Sequence, residues 1–325
     1  MDHSRKSKIL AMSIDTYSRK FAALRVATNN GHRSPHKICM LLAVLDLARS
    51  GRLPRNQIDF GPELLTRYQQ FFSGVSTVRD NPNPHYPFFY LQSDLKGGTN
   101  SFWHLQPIAG REIVLASMSN VRKISDVTDN IAFAYLDTEL FELLQEPAAI
   151  DALSNSLAKH WFDRGLEELH TVVTQYAAVA SYEQKLRSSS LPAQEAVPPE
   201  YVRKPAFRRM VTQIYDYRCA ATGIRLVLNT GESMIEAAHI HPFSEAGDDD
   251  PRNGLALTPN IHWAMDRDLI APGPDLRWHV SRIIDERIPD NAVLLSLDNK
   301  PLLLPSESRW TPKKASLEWR MERLR

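Results

Sequence analysis

The sequence predicts an α+β chain organised as two domains, and three observations carry that reading. A nearly continuous apolar run over 38–47 and an amphipathic pattern over 63–72 read as helices, then give way to short aromatic-rich runs. The stretch SYEQKLRSSSLPAQEAVPPE at 181–200 is poor in large apolar residues and rich in serine and proline, the composition of a linker. Beyond it, residues 233–270 read as a strand, an acidic loop and a helix.

Composition bounds the rest. A chain of 325 residues suits two domains, and 43% hydrophobic with 24% charged residues is ordinary for a globular protein. A disordered chain, a collagen and a disulfide miniprotein are excluded. No apolar run approaches the roughly 20 residues of a membrane span; Ile38 to Ala48 is too short and is broken by Asp46. The N-terminus, MDHSRKSK, is polar and no signal-peptide core follows it. Two distant cysteines, Cys39 and Cys219, give neither a disulfide framework nor a four-cysteine zinc site, so no structural zinc is expected. A cytoplasmic setting without membrane contact is the expectation. The net charge of +1 excludes a uniformly basic protein but leaves room for a local basic face.

The elements follow in order. Ile38 to Leu47 reads as a buried helix ended by Gly51 and Pro54, and Glu63 to Phe72 as an amphipathic helix. Tyr86 to Leu91 and Ser101 to Leu105, around Gly97-Gly98, carry a hairpin signal. From Ser125 to Leu186 the pattern returns to helix. The expected layout is a first domain over 1–186, a linker over 187–200 and a second domain over 201–325. The second domain opens with a helix from Pro205 to Tyr217, beside the basic cluster Arg203, Lys204, Arg208, Arg209 and Arg218. On charge patterning alone that cluster reads as a solvated helix face, with a phosphate-contacting surface as the alternative. Segment 271–325, with its basic tail Lys313, Lys314, Arg320, Arg323 and Arg325, is open between core packing, a dimer contact and a DNA contact.

The chemistry lies in Glu236 to Ile270. Here His239, Asn253 and His262 are separated by 14 and 9 positions. Ser233 to His239 fits a strand. Thr258 suits a helix N-cap and Pro259 the first helical position, which places His262 and Asp266 four apart on one helix face. A strand histidine together with a helix histidine and carboxylate is a candidate metal site. His241 and the triplet Asp248, Asp249 and Asp250 read as solvated loop, and Cys219 as a core cysteine.

The segment resembles the HNH (ββα-metal) nuclease motif. The residues that carry the resemblance are Tyr215, Arg218-Cys219-Ala220, Thr222-Gly223, Glu236-Ala237-Ala238-His239-Ile240, Pro242, Asn253-Gly254-Leu255, Leu257, His262, Asp266 and Leu269. The resemblance implies that His239 is a general base activating water against a phosphodiester, that Asn253 fixes the loop behind it, and that His262 ligates one divalent ion. That ion would be Mg²⁺ or Mn²⁺, with Ni²⁺ or Co²⁺ as alternatives. Many HNH enzymes place an acidic residue or histidine immediately before the base. Here that position is Ala238, so Asp266 and Glu236 are the candidates to complete the metal set.

The first domain resembles the sulfur-binding domain of phosphorothioate-dependent type IV restriction endonucleases, which joins a C-terminal HNH domain in that family. Pro35-His36-Lys37 before the apolar helix and His85-Tyr86-Pro87-Phe88-Phe89-Tyr90-Leu91 carry this resemblance, with Trp103 on the following strand. The fold implied is an α/β-mixed sulfur-binding domain followed by a ββα-metal domain. The implied partner is double-stranded, phosphorothioated DNA. Sulfur is larger, more polarizable and less hydrated than the oxygen it replaces, so an apolar dimple beside a cation would prefer it. His36, Lys37, Tyr86, Pro87 and Tyr90 are the candidates for that dimple, and Arg111 and Lys123 for phosphates or bases. Two strands need two cuts, which makes a homodimer an expectation as well. The alternatives are a nuclease reading methylated or otherwise modified bases, a modified-DNA-binding protein that does not cut, and an RNA nuclease.

Overall fold

The computed structural model describes residues 2–29, 32–78, 80–93, 101–162, 169–188 and 197–325. It resolves into two compact units, Met1–Ser181 with Asn229–Glu232, and Tyr182–Leu228 with Ser233–Arg325. The division falls inside the helix Leu169–Ser188, so the described part of that helix runs past the expected boundary. Most of the predicted linker, residues 189–196, lies outside the described residues, as does the Gly97-Gly98 turn. Among the described residues no helix is long and apolar enough to cross a membrane.

The first unit is built around the helix His36–Arg49, in which every residue from Ile38 to Leu47 is buried. Such a helix has no solvated face and must be surrounded. Helices Pro62–Val75, Pro147–Phe162 and His85–Tyr90 pack against it. Asp46 is tolerated in its middle because Arg67, from the Pro62 helix, forms a buried ion pair with it. A carboxylate in the core requires such a partner.

Two sequence expectations fail here. Residues 85–90 are helix rather than strand, and Trp103–Pro107 pairs antiparallel with Ile131–Leu136 instead. The aromatic density that suggested a hairpin reflects burial: Phe88 and Phe89 lie in the core, and the Trp103 indole N–H donates to the Phe88 carbonyl at 2.9 Å. Strand propensity measures fit to a half-buried surface and does not separate the two cases. Pro87 decides for the helix, since a first-turn proline forfeits no helical bond whereas a mid-strand one breaks the ladder. The strand Ile131–Leu136 likewise interrupts the predicted helical stretch 125–186. A six-residue apolar run is ambiguous by period alone.

The second unit has its own core. A hairpin of Glu236–His239 with Gly254–Leu257 is flanked by the helices Glu200–Ile214 and Pro259–Asp266. The first of these begins five residues before the expected Pro205 and carries that proline inside it. A second hairpin, Ile270–Pro272 with Trp278–Val280, and the helix Lys314–Met321 close the other side. Trp278, Leu297, Leu302 and Leu317 all enter the same core cluster, so segment 271–325 packs on the domain that precedes it.

Candidate active site

Strand alternation divides the functional residues of Glu236–His239 between two faces. Glu236 meets the helix Pro259–Asp266, where its carboxylate accepts from the His262 Nδ1 at 2.8 Å. His239 stacks on Phe207 of the helix Glu200–Ile214, with ring centroids 3.9 Å apart and planes 2° from parallel. Gly254 stands opposite His239 in the register. A Cβ there would lie 2.7 Å from Phe207 and 2.6 Å from Val211, so glycine is what lets the phenyl ring reach the imidazole.

The loop between the strands is held from inside. Asn253 is fully buried; its amide donates to the carbonyls of His241 (2.9 Å) and Asp248 (3.0 Å), and its oxygen accepts from the His241 N–H (3.0 Å). The Ile240 N–H donates to the Asn253 carbonyl at 2.8 Å, which continues the ladder past His239. From the C-terminal helix, the buried Arg320 guanidinium donates to the carbonyls of Ile240, Met265 and His239, at 2.8, 3.2 and 3.4 Å, and pairs with Asp268. Burial pulls its pKa down from the ordinary arginine value while the neighbouring Asp268 and Asp266 oppose that shift.

The acidic triplet is not a solvated loop. Asp249 is 2% exposed and accepts from the His239 Nε2 at 2.8 Å. Arg203 Nη1 reaches both of its oxygens, at 2.9 and 3.1 Å, and the Tyr182 hydroxyl lies 3.3 Å away. Asp248 and Asp250 share Lys313. Burial alone would raise the Asp250 carboxyl, but Arg252 and Lys313 hold it below the usual carboxylate range. The basic cluster is corrected with it. Arg203 and Arg209 are buried, the latter paired with Glu183, whereas Lys204, Arg208 and Arg218 remain exposed. A local signal existed, since Arg203 and Arg209 share the helix with Val202, Ala206, Phe207 and Met210, all of which are buried. His241 is also no simple loop residue: it is half-buried and stacks on Trp319 at 4.0 Å. Cys219 is free and buried, 3.8 Å from the Thr258 hydroxyl.

Helix Pro259–Asp266 starts at Thr258 with Pro259 at its first position, although the Thr258 side chain makes no capping hydrogen bond. His262 and Asp266 share a face, with Nε2 and the carboxylate 3.4 Å apart. Because Glu236 accepts from Nδ1, the Nε2 lone pair is left for a ligand, the arrangement found behind metal-bound histidines. An imidazole nitrogen and a carboxylate are donors that a divalent ion can take, with water filling its remaining positions. Among the described residues no group of three or more His, Cys, Asp or Glu side chains could hold a metal ion. Ala238 is buried in the core and offers no donor. No hydrogen bond, ion pair or ring contact joins His239 to His262 or Asp266.

A family model described as HNH endonuclease matches residues 219–271. Residues 219–271 are an HNH endonuclease domain. The matched segment contains His239, Asn253 and His262, together with Glu236, Asp249 and Asp266, but neither Arg203 nor Tyr182. Among solved structures, a modification dependent TagI restriction endonuclease is similar at 20% identity and a TM-score of 0.31. That likeness covers 43% of this chain and 42% of the other, so the chain spans less than half of that protein. So loose a superposition carries no conclusion about this chain. No curated protein matches the chain.

The first unit contains a cavity of about 440 Å³. His36, Lys37, Tyr86, Pro87 and Tyr90 line it, together with Arg25, Val26, Ala27, Ser34 and Val121. Five of the seven residues singled out for DNA or sulfur contact therefore meet at one place. Arg111 is not among the lining residues; it is exposed, at the N-cap of the short helix Glu112–Ser117. The Lys37 ammonium donates to the Arg25 carbonyl at 2.9 Å. His36 contacts the Asn81 carbonyl at 2.8 Å, and burial lowers its pKa from the ordinary histidine value.

Proposed function

We propose that the chain is a type IV, modification-dependent DNA endonuclease. Its first unit binds phosphorothioated double-stranded DNA and its HNH domain hydrolyses a phosphodiester nearby. The observation that carries the reading is the cavity of the first unit. Its walls are mainly aliphatic and aromatic, and two basic side chains, Lys37 and Arg25, stand at them. Sulfur loses less hydration than oxygen on entering apolar surroundings, while the phosphorothioate charge still needs a cation. Tyr86, Pro87 and Tyr90 supply the first property and Lys37 the second.

In the HNH domain, His239 takes a proton from water as the water oxygen attacks phosphorus. The bond from phosphorus to the 3′ oxygen breaks, and the leaving oxygen takes up a proton from solvent. An imidazole suits proton transfer near neutrality. His262 and Asp266 would hold the divalent ion, Mg²⁺ or Mn²⁺ with Ni²⁺ or Co²⁺ as alternatives, and Glu236 would orient His262. When bound, that ion supplies positive charge against the phosphate and the leaving oxygen. Asn253 keeps the strand end that carries His239 in register.

A paired cleavage assay tests this. One plasmid sequence is prepared with and without backbone phosphorothioates and digested in Mg²⁺ or Mn²⁺, with His239→Ala alongside. Cutting of the sulfur-modified plasmid alone, lost in the variant, is expected. Equal cutting of both would remove the sulfur-reading half. Tight binding without cutting in any metal would replace the enzyme by a binding protein.

A further inference from the structure

We propose that Asp249 is the positioning residue of the nuclease site. With Arg203 and Tyr182 it fixes which nitrogen of His239 accepts the proton. The inference rests on the reading of His239 as general base.

A carboxylate 2% exposed, in a run of three aspartates, has given up its hydration for specific partners. Those partners come from two helices and a strand. Arg203 offers one nitrogen to both oxygens, Tyr182 a hydroxyl to one, and His239 its Nε2 to the other. An ionised carboxylate only accepts, so the Nε2 must carry the hydrogen and the Nδ1 the lone pair. The Nδ1 has no protein partner among the described residues, which leaves it for water. Phe207 covers one face of the imidazole in parallel, and Phe243 lies 6.1 Å away, itself capped by the Arg203 guanidinium at 3.4 Å. Turning the ring would break both the stacking and the Asp249 bond.

Arg203 completes the charge account. While His239 is neutral, Arg203 and Asp249 cancel. When His239 holds the water proton, the added charge sits between Asp249 and the substrate phosphate, so the carboxylate is never left buried without a cation. Tautomer and ring orientation are thereby set before substrate arrives, which is the form of preorganisation that needs no rearrangement during reaction.

Asp249→Asn tests the claim in the full chain, with the cleavage rate, DNA affinity, thermal midpoint and ¹⁵N resonances of the His239 ring measured together. An amide can keep Arg203 on its oxygen and turn its NH₂ to the Nε2, which moves the ring hydrogen to Nδ1. The expected result is a cleavage rate lower by about 10²–10⁴-fold, the usual worth of a general base, with DNA affinity within threefold and the ring resonances changed to the Nδ1–H pattern. An unchanged tautomer with a rate within threefold of wild type would overturn it. Should the melt show that Asp249→Asn does not fold, Tyr182→Phe and Asp249→Glu decide instead. A slower Tyr182→Phe, and a Glu variant that keeps the Nε2–H pattern, support the role; wild-type rates in both refute it. His239→Ala separates the two layers: if it cuts normally, the base assignment has failed rather than the positioning claim.

Discussion

Asn253 and His241 exchange two hydrogen bonds through one side chain: the amide donates to the His241 carbonyl and the amide oxygen accepts from the His241 N–H. This clamp holds the chain two residues beyond His239 as a neighbouring strand would. Asn253→Ala leaves the carbonyls of His241 and Asp248 and one N–H without these partners. Each such group costs about 1–3 kcal/mol when buried, so roughly 3 kcal/mol of stability is expected to go. Chemical denaturation should show it, with cleavage falling further than stability, because the base moves with the loop.

Gly254 makes a sharper case. Alanine there adds one methyl between His239's partner strand and the Phe207 and Val211 side chains, at distances no packed carbon accepts. Overpacking of this kind costs about 1–3 kcal/mol. Phe207 is the atom group best able to move, and moving it uncovers the imidazole. Gly254→Ala should therefore fold, bind DNA with unchanged affinity, and cut at least tenfold more slowly. A wild-type rate in a plasmid nicking assay would show that the stacking on His239 does no catalytic service.

How far the sequence could be read depended on how local the cause was. Thr258 and Pro259 act on backbone within a few positions of themselves, and the helix was legible from them; Asn253, which clamps His241 twelve positions away, was singled out by the resemblance instead. Asp249 was not. Its neighbours are two further aspartates, which point to solvent, while the partners that bury it stand 46 and 67 positions away. The predicted hairpin failed for a related reason. Residues 86–90 are aromatic because the core around the helix His36–Arg49 needs large side chains, and a core does not care whether a helix or a strand delivers them. In the first unit, His36 and Lys37 meet Tyr86, Pro87 and Tyr90 across roughly 50 positions, a juxtaposition that the resemblance implied and no local pattern in the sequence displays.

Metal binding can be followed without cleavage. If His262 and Asp266 hold the ion, His262→Ala should abolish the Mn²⁺ binding heat at this site. Glu236→Gln keeps the shape but weakens the hold on Nδ1–H, so a loss of about 10–100-fold in Mn²⁺ affinity is expected. Unchanged calorimetric titrations in both variants would move the ion elsewhere.

Two histidines make the first unit pH-sensitive. Burial lowers the pKa of His36 and of His85; around His36 the Asn81 carbonyl and Asp80 oppose the shift, and around His85 the charge of Asp126 does so. Between the lowered folded values and the unfolded value near 6.5, the unfolded chain binds protons that the folded one refuses. Stability therefore rises with pH through that window, is fully present above it, and is lost as pH falls. The slope is at most about 1.4 kcal/mol per pH unit for each ring. The thermal midpoint should drop between pH 7 and pH 5, and His85→Gln should drop less steeply.

The cavity of the first unit gives two different signatures on DNA. Lys37 contributes charge, which a phosphate and a phosphorothioate share. Lys37→Met should weaken binding to modified and unmodified duplexes alike, by about tenfold, and reduce the slope of affinity against salt by about one ion. Tyr86 and Pro87 contribute apolar surface, which only sulfur rewards. Tyr86→Ala should leave the unmodified duplex unaffected and shrink the ratio of affinities for the two. Fluorescence anisotropy on a matched pair of duplexes, each at two salt concentrations, reads both effects. If Lys37→Met and Tyr86→Ala reduced the ratio equally, charge and apolar contact would not be separable at this site. If neither changed either affinity, the cavity would have no part in DNA binding, and the reader of the mark would have to be sought on the exposed surface that carries Arg111 and Lys123.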